Sequence, residues 1–255
     1  MRRREKFVLT AVVLTLGLLA VQYVALEQRY WAVLILSIIS YIAATWALSE
    51  DLQRIELAML VPIPALFAGS VGLFYFLLPA NILSRFTILG VFGVGVYALL
   101  LTSNILSVAK GRTIQLLHAA HAIGLFFALI ISLLLTNTIF SVNLPYYLVG
   151  GLVGLSHFPL VITSLWAVRL TKKIEPIVWQ TSVLLTLLLI ELAIALTFIP
   201  MSVWFAALFV MSLLYLGVSI IRSYLIERLF SRALAEYALV SLFILILFIA
   251  EFPLK

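Results

Sequence analysis

The sequence predicts an all-α fold, a polytopic transmembrane helical bundle, and three observations predict it. Apolar residues make up 65% of the 255-residue chain and charged residues only 10%, where a soluble domain would be about a quarter charged. Apolar runs of roughly 20 residues, the length that crosses a bilayer core, recur from end to end. The basic residues fall almost entirely into alternate connections between those runs. A mean hydropathy of +1.26 agrees. No water-soluble packing hides so much apolar surface.

Nine spans are expected, at roughly 7–26, 30–48, 58–78, 86–109, 113–135, 146–168, 177–199, 201–221 and 234–251. The first follows "MRRREK" and has the basic start and apolar core of a signal peptide. Its apolar run continues to Leu26 without a small-residue cleavage site leading into polar sequence, so it reads as a retained helix. The second runs from "RYWAVLIL" to Leu48. The third is irregular. Ser49 is its expected N-cap, with Glu50 and Asp51 in the first turn. Pro62 and Pro64 then interrupt it before it has crossed. The stretch 177–221 is too long for one crossing, and Pro200 in "FIPMS" divides it into a tight hairpin. The ninth span carries Glu236 near its start. Connections are short, so the whole of 1–255 reads as a single integral membrane domain, with no internal repeat evident.

Between spans eight and nine, "RSYLIERLFSRALAEY" is amphipathic. Leu225, Ile226, Leu229, Phe230 and Ala233 share one helical face, and Arg222, Glu227, Arg228, Ser231 and Arg232 the other. A cytoplasmic interfacial helix over 222–232 is expected, with Arg222, Arg228 and Arg232 toward headgroups or a docking partner.

Orientation follows from the basic residues. With the N-terminus cytoplasmic, thirteen of the 16 lie inside: Arg2, Arg3, Arg4, Lys6, Arg54, Lys110, Arg112, Arg169, Lys172, Lys173, Arg222, Arg228 and Arg232. Arg29, Arg85 and Lys255 lie outside. A miscounted span would mix the two sets, so the expected topology is N-in, C-out. A reporter enzyme fused after Lys255 is expected to be active only on the outer side. Cytoplasmic activity would show that one span has been miscounted. Short loops, absent cysteines and the basic asymmetry suit a prokaryotic inner (cell) membrane. The net charge of +6 is spread over loops, so nucleic acid is not an expected partner. The bilayer is, and other membrane subunits are candidates.

Small residues recur at packing distance in several spans: Gly150 and Gly154 in "LVGGLVGLSHF", Ala65 and Gly69, and Gly90, Gly93 and Gly95. Such faces let helix backbones approach closely, which substitutes for the missing hydrophobic drive in lipid.

Function in a membrane protein usually shows in its intramembrane polar groups. These are Asn104, His118, His121, His157, Gln180 and Glu191. His118 and His121 share a helical face at i and i+3, about 9 and 13 Å in from the cytoplasmic end, and Asn104 enters span four at about 9 Å. The three are expected to face protein, either as interhelical hydrogen bonds or as a pocket open to the cytoplasm. Glu191, near the middle of span seven, is expected inside the bundle with His157 as its best partner. Such a pair can share a proton and serve a proton- or cation-coupled step.

Many activities lack their residues. There is no cysteine, and Asp51 is the only aspartate, so no aspartate pair can hold Mg²⁺ and a diphosphate. No H-E-x-x-H, nucleotide loop, nucleophile elbow or intramembrane lysine occurs. No catalytic residue and no metal site is expected. No cofactor is expected either; haem held between His121 and His157 is the alternative. The leading expectation is a transporter or channel-like carrier of a small or lipidic solute. A structural or assembly subunit of a membrane complex comes next, and a lipid-modifying enzyme third.

Overall fold

The computed structural model describes residues 3–49, 54–78, 81–108, 114–227 and 231–251. Among them the regular elements are helices: α1 Arg3–Val21, α2 Arg29–Leu48, α3 Arg54–Leu60, α4 Pro62–Tyr75, α5 Ile82–Ser107, α6 Ile114–Ser141, α7 Tyr146–Arg169, α8 Pro176–Thr197, α9 Val203–Leu225 and α10 Ser231–Glu251. A short 3-10 turn, Leu26–Gln28, leads into α2. Taking α3 and α4 as one interrupted crossing, eight helices are long and apolar enough to span a membrane. The exception is α1, whose first turn holds Arg3, Arg4, Glu5 and Lys6 and leaves an apolar stretch of only Phe7–Val21. The expected first span, 7–26, is therefore shorter than the apolar run: Gln22 and Tyr23 turn out of the helix.

The third span breaks where its prolines stand. Pro62 and Pro64 lack the N–H groups that would bond one turn back, and α3 gives way to α4 at Val61. Ser40 Oγ of α2 donates to the Pro64 carbonyl at 3.1 Å, which holds α4 to α2 at that level. Ser49 does not cap this span. It closes α2 instead, with its Oγ donating to the Trp46 carbonyl. Glu50 and Asp51 lie outside the described residues.

Two compact units divide the chain, Met1–Phe127 and Ala128–Lys255, with the boundary inside α6. In the first, α1 packs on α2 and α5, and α4 packs on α2 and α5, closing a ring of four. Glycines set these approaches. A Cβ on Gly69 would lie 2.8 Å from Ser37 Oγ, and one on Gly93 would lie 2.8 Å from Thr15 Oγ1. Gly95 faces the rings of Phe67 and Phe127. Phe67 stacks on Phe92 with centroids 5.5 Å apart and meets Phe127 edge-on at 5.4 Å. The Gly72 approach to Val33 was not legible as part of the Ala65–Gly69 pair.

In the second unit α7, α8 and α9 pack on one another, and α10 lies against α9. Gly150 and Gly154 of α7 receive Ile194 and Ile190 of α8. Gly217 of α9 receives Leu185. α10 is held at two levels, by Ser223 Oγ with Tyr237 OH at 2.9 Å and by Phe209 with Phe248 at 5.1 Å. The hairpin expected at Pro200 is present: α8 ends at Thr197, and Ser202 caps α9 by accepting from the Phe205 N–H.

One surface is tied by a single arginine. α7 ends in a left-handed Leu170, and Arg169 reaches both the Glu175 carboxylate before α8 and the Leu225 carbonyl at the end of α9. The helix expected over 222–232 is not one element. Arg222 belongs to the last turn of α9, Ile226 and Glu227 form a turn with Glu227 at φ 57°, and α10 begins at Ser231. Arg228 lies outside the described residues, and the Arg232 side chain is likewise not described.

Candidate functional site: polar groups on the spanning helices

His157 sits in the middle of α7, fully buried, with four polar atoms around its ring. Nδ1 lies 2.9 Å from the Val153 carbonyl and 3.0 Å from Ser156 Oγ. A carbonyl only accepts, so Nδ1 carries the hydrogen. Nε2 is then the acceptor, and Ser132 Oγ of α6 donates to it at 2.8 Å, with Thr136 Oγ1 at 3.4 Å. Ser132 and Thr136 are one turn apart, so their hydroxyls share a face and bracket the ring. The result is a neutral imidazole that cross-links α6 and α7 with both nitrogens satisfied. That arrangement suits a structural bond in hydrocarbon, and neither nitrogen is open to an iron or a zinc ion.

Glu191 is not its partner. The carboxylate residue lies on α8, and the buried face of that helix runs through Ser182, Leu185, Leu189, Ala193 and Leu196. At 100° per residue Glu191 points nearly opposite that face. It is exposed, in a stripe with Leu184, Leu187 and Leu188, which are 58%, 50% and 43% exposed. The expected pairing with His157 therefore fails for a geometric reason. The apolar periodicity of "LLLIELAIAL" gives no phase, so it does not say which face of α8 meets α7 and α9. Glu191 stands about 9 Å from the Thr197 end of the helix, within the hydrocarbon range.

The other expected group divides. Asn104 is buried on α5. His118 is exposed and His121 half-buried on α6. The prediction that all three face protein holds for Asn104 and fails for His118. Gln180 is exposed near the start of α8, and Arg222 is half-buried at the end of α9. Among the described residues no three His, Cys, Asp or Glu side chains lie close enough to hold a metal ion.

Neither Ser132 nor Thr136 was among the polar groups expected from sequence. The signal for Ser132 and Thr136 was their i, i+4 spacing on an apolar helix, which places two hydroxyls on one face a single turn apart. A cavity of about 260 Å³ also went unread. It lies where the α6–α7 and α8–α9 connections meet, lined by Asn143, Thr197 and Met201 among apolar groups.

Fold and polar groups together define a polytopic α-helical, multi-pass membrane protein. Compared with known protein families, curated proteins and solved structures, the chain matches none.

Proposed function

We propose that the chain is a subunit of a membrane protein complex, docking through the exposed face of α8. The observation that carries this reading is a carboxyl group on the outside of a spanning helix. Lipid is an adequate neighbour for the exposed leucines around it and for α10, none of whose spanning segment is buried. It is a poor one for Glu191. A lone acidic side chain facing hydrocarbon costs about 2.5–3.5 kcal/mol on insertion scales. A neighbouring helix that brings a hydrogen-bond donor or a cation to that level removes the cost.

The occupant is a spanning helix of a different chain, with a basic or amide side chain at the level of Glu191. Charge complementarity argues against a second copy. Of the basic residues the sequence topology places outside, Arg29 lies over the rings of Tyr30 and Phe76, and Arg85 over the ring of Tyr23. The Arg29 guanidinium also donates to Tyr30 OH at 2.9 Å, and Arg85 Nε is buried within its own chain. The carrier reading, by contrast, rested on an assembled Glu191–His157 site, and those residues point apart. In this reading the N-terminus is cytoplasmic and the membrane is a prokaryotic inner membrane, as the basic loops suggest.

The test is purification of the tagged chain from its own membranes in a mild detergent. Wild type should carry one other membrane protein in fixed stoichiometry. Glu191→Leu should weaken that association about ten-fold, and Glu191→Gln, which still accepts and donates, by less. A wild-type chain that runs alone, or a partner indifferent to both substitutions, overturns the proposal.

A further inference from the structure

A groove of about 440 Å³ opens on the surface of the first unit, between α1 and α5. Its walls are mainly apolar side chains, chiefly Val8, Val12 and Leu16 of α1 and Val94 of α5, with Gly90 and Gly93 between them and Tyr97 beside them on α5. The two glycines act differently. At Gly93 the helices touch, since a Cβ there would meet Thr15 Oγ1. At Gly90 a Cβ would meet nothing within 4 Å, so the groove exists because that position has no side chain. Thr15, the one hydroxyl on the α1 wall, is turned inward and donates to the Ala11 carbonyl at 2.7 Å. A polar ligand would find no partner on that wall.

We propose that this groove holds one acyl chain of an anionic phospholipid, with the phosphate at Arg4. The inference is independent of the subunit reading, because it concerns other helices. Three observations carry it. The lining is that of a hydrocarbon site. From Val8 to Leu16 the groove is about 12 Å long, enough for part of an acyl chain but well short of the roughly 30 Å that a docked spanning helix would occupy. Finally, Arg4 stands one turn before Val8 on the same helical face and is exposed, at the end of α1 where apolar sequence begins. Glu5, the carboxyl on that turn, has an interaction of its own. A guanidinium at the head of an apolar groove matches a phosphate above an acyl chain in both charge and order.

Native mass spectrometry of the purified chain, exchanged into detergent containing equal phosphatidylglycerol and phosphatidylcholine, tests this. Wild type should retain one phosphatidylglycerol about five-fold more often than phosphatidylcholine. Arg4→Gln should bring the two lipids to parity while a lipid is still retained. Gly90→Leu fills the groove and should lose the retained lipid. Gly151→Leu, at a glycine of α7 with equally open space, is the matched control and should behave as wild type. Arg4→Gln substitutes an exposed end residue, so it keeps the test decisive if Gly90→Leu folds poorly. Equal retention of both lipids by wild type, or undiminished retention by folded Gly90→Leu, overturns the proposal.

Discussion

Gly154→Leu is expected to destabilise the 128–255 unit by about 1–3 kcal/mol, the usual cost of over-packing a close helix contact. The first atom of a new side chain would already stand 2.7 Å from Ile190 Cδ1. Ile190 is itself fixed by the neighbouring approach at Gly150, whose Cβ would meet Ile194 Cδ1 at 2.8 Å and the Ile190 Cγ2 methyl at 3.2 Å. A turn of the Ile190 Cδ1 methyl makes room for one added carbon but not for a whole leucine side chain, so α7 and α8 would have to part along their contact. Without a hydrophobic drive in lipid, that contact is what holds the pair together. Gly154→Ala should be nearly neutral, because the gain in helix propensity of about 1 kcal/mol offsets a small shift of one flexible methyl. Gly151→Leu, one position from Gly150 but facing open space, should also be neutral. Thermal or denaturant unfolding in detergent micelles measures the series. Equal effects at 151 and 154 would show that the contact does not hold the pair.

His157→Leu is the second large effect, expected at about 1–3 kcal/mol. It removes the acceptor for Ser132 and leaves that hydroxyl and Thr136 out of contact with the surface, both being fully buried. Each can turn back to a carbonyl of its own helix, which limits the loss. The diagnostic is therefore a cycle. If the bond is the source of the effect, Ser132→Ala with His157→Leu should cost less than the two single changes added together. Additive losses would mean that packing volume, not the hydrogen bond, sets the stability. Activity or complex formation should follow stability throughout this cycle, since His157 is given a structural role.

Much of the fold was legible because membrane crossing is a length-and-composition property. The limits of α2, α7, α8 and α9 fall within a few residues of the apolar runs, and the breaks at Pro62 and Pro200 are local backbone chemistry. The glycine faces were legible in part: Gly69, Gly93, Gly95, Gly150 and Gly154 do mark close approaches, whereas Gly90, expected with them, faces open space. What the sequence does not carry is rotational phase. In a soluble helix the polar side announces the exterior. In α8, where both sides are apolar, a single glutamate was assigned to the interior from the cost of exposing it, and packing of Leu185, Leu189 and Ala193 turned it outward. His118 was misassigned by the same argument. His157 was expected inside only as the partner of an interior Glu191; it is buried, but its partners are hydroxyls and a backbone carbonyl rather than the carboxyl. The stretch 222–232 shows a different failure. Its amphipathic spacing is real, but the left-handed Glu227 ends α9, and a periodic pattern does not reveal a single reversed φ.

Site-specific photocrosslinking in native membranes addresses the docking face of α8 most directly. A crosslinker at Leu188, one turn before Glu191 on the exposed stripe, should form one discrete adduct with another membrane protein. The same group at Leu239 of α10, which is 69% exposed, should give lipid adducts only. Glu191→Leu should abolish the Leu188 adduct without unfolding the chain. Lipid adducts alone at Leu188, or a protein adduct that persists in Glu191→Leu, would contradict the account.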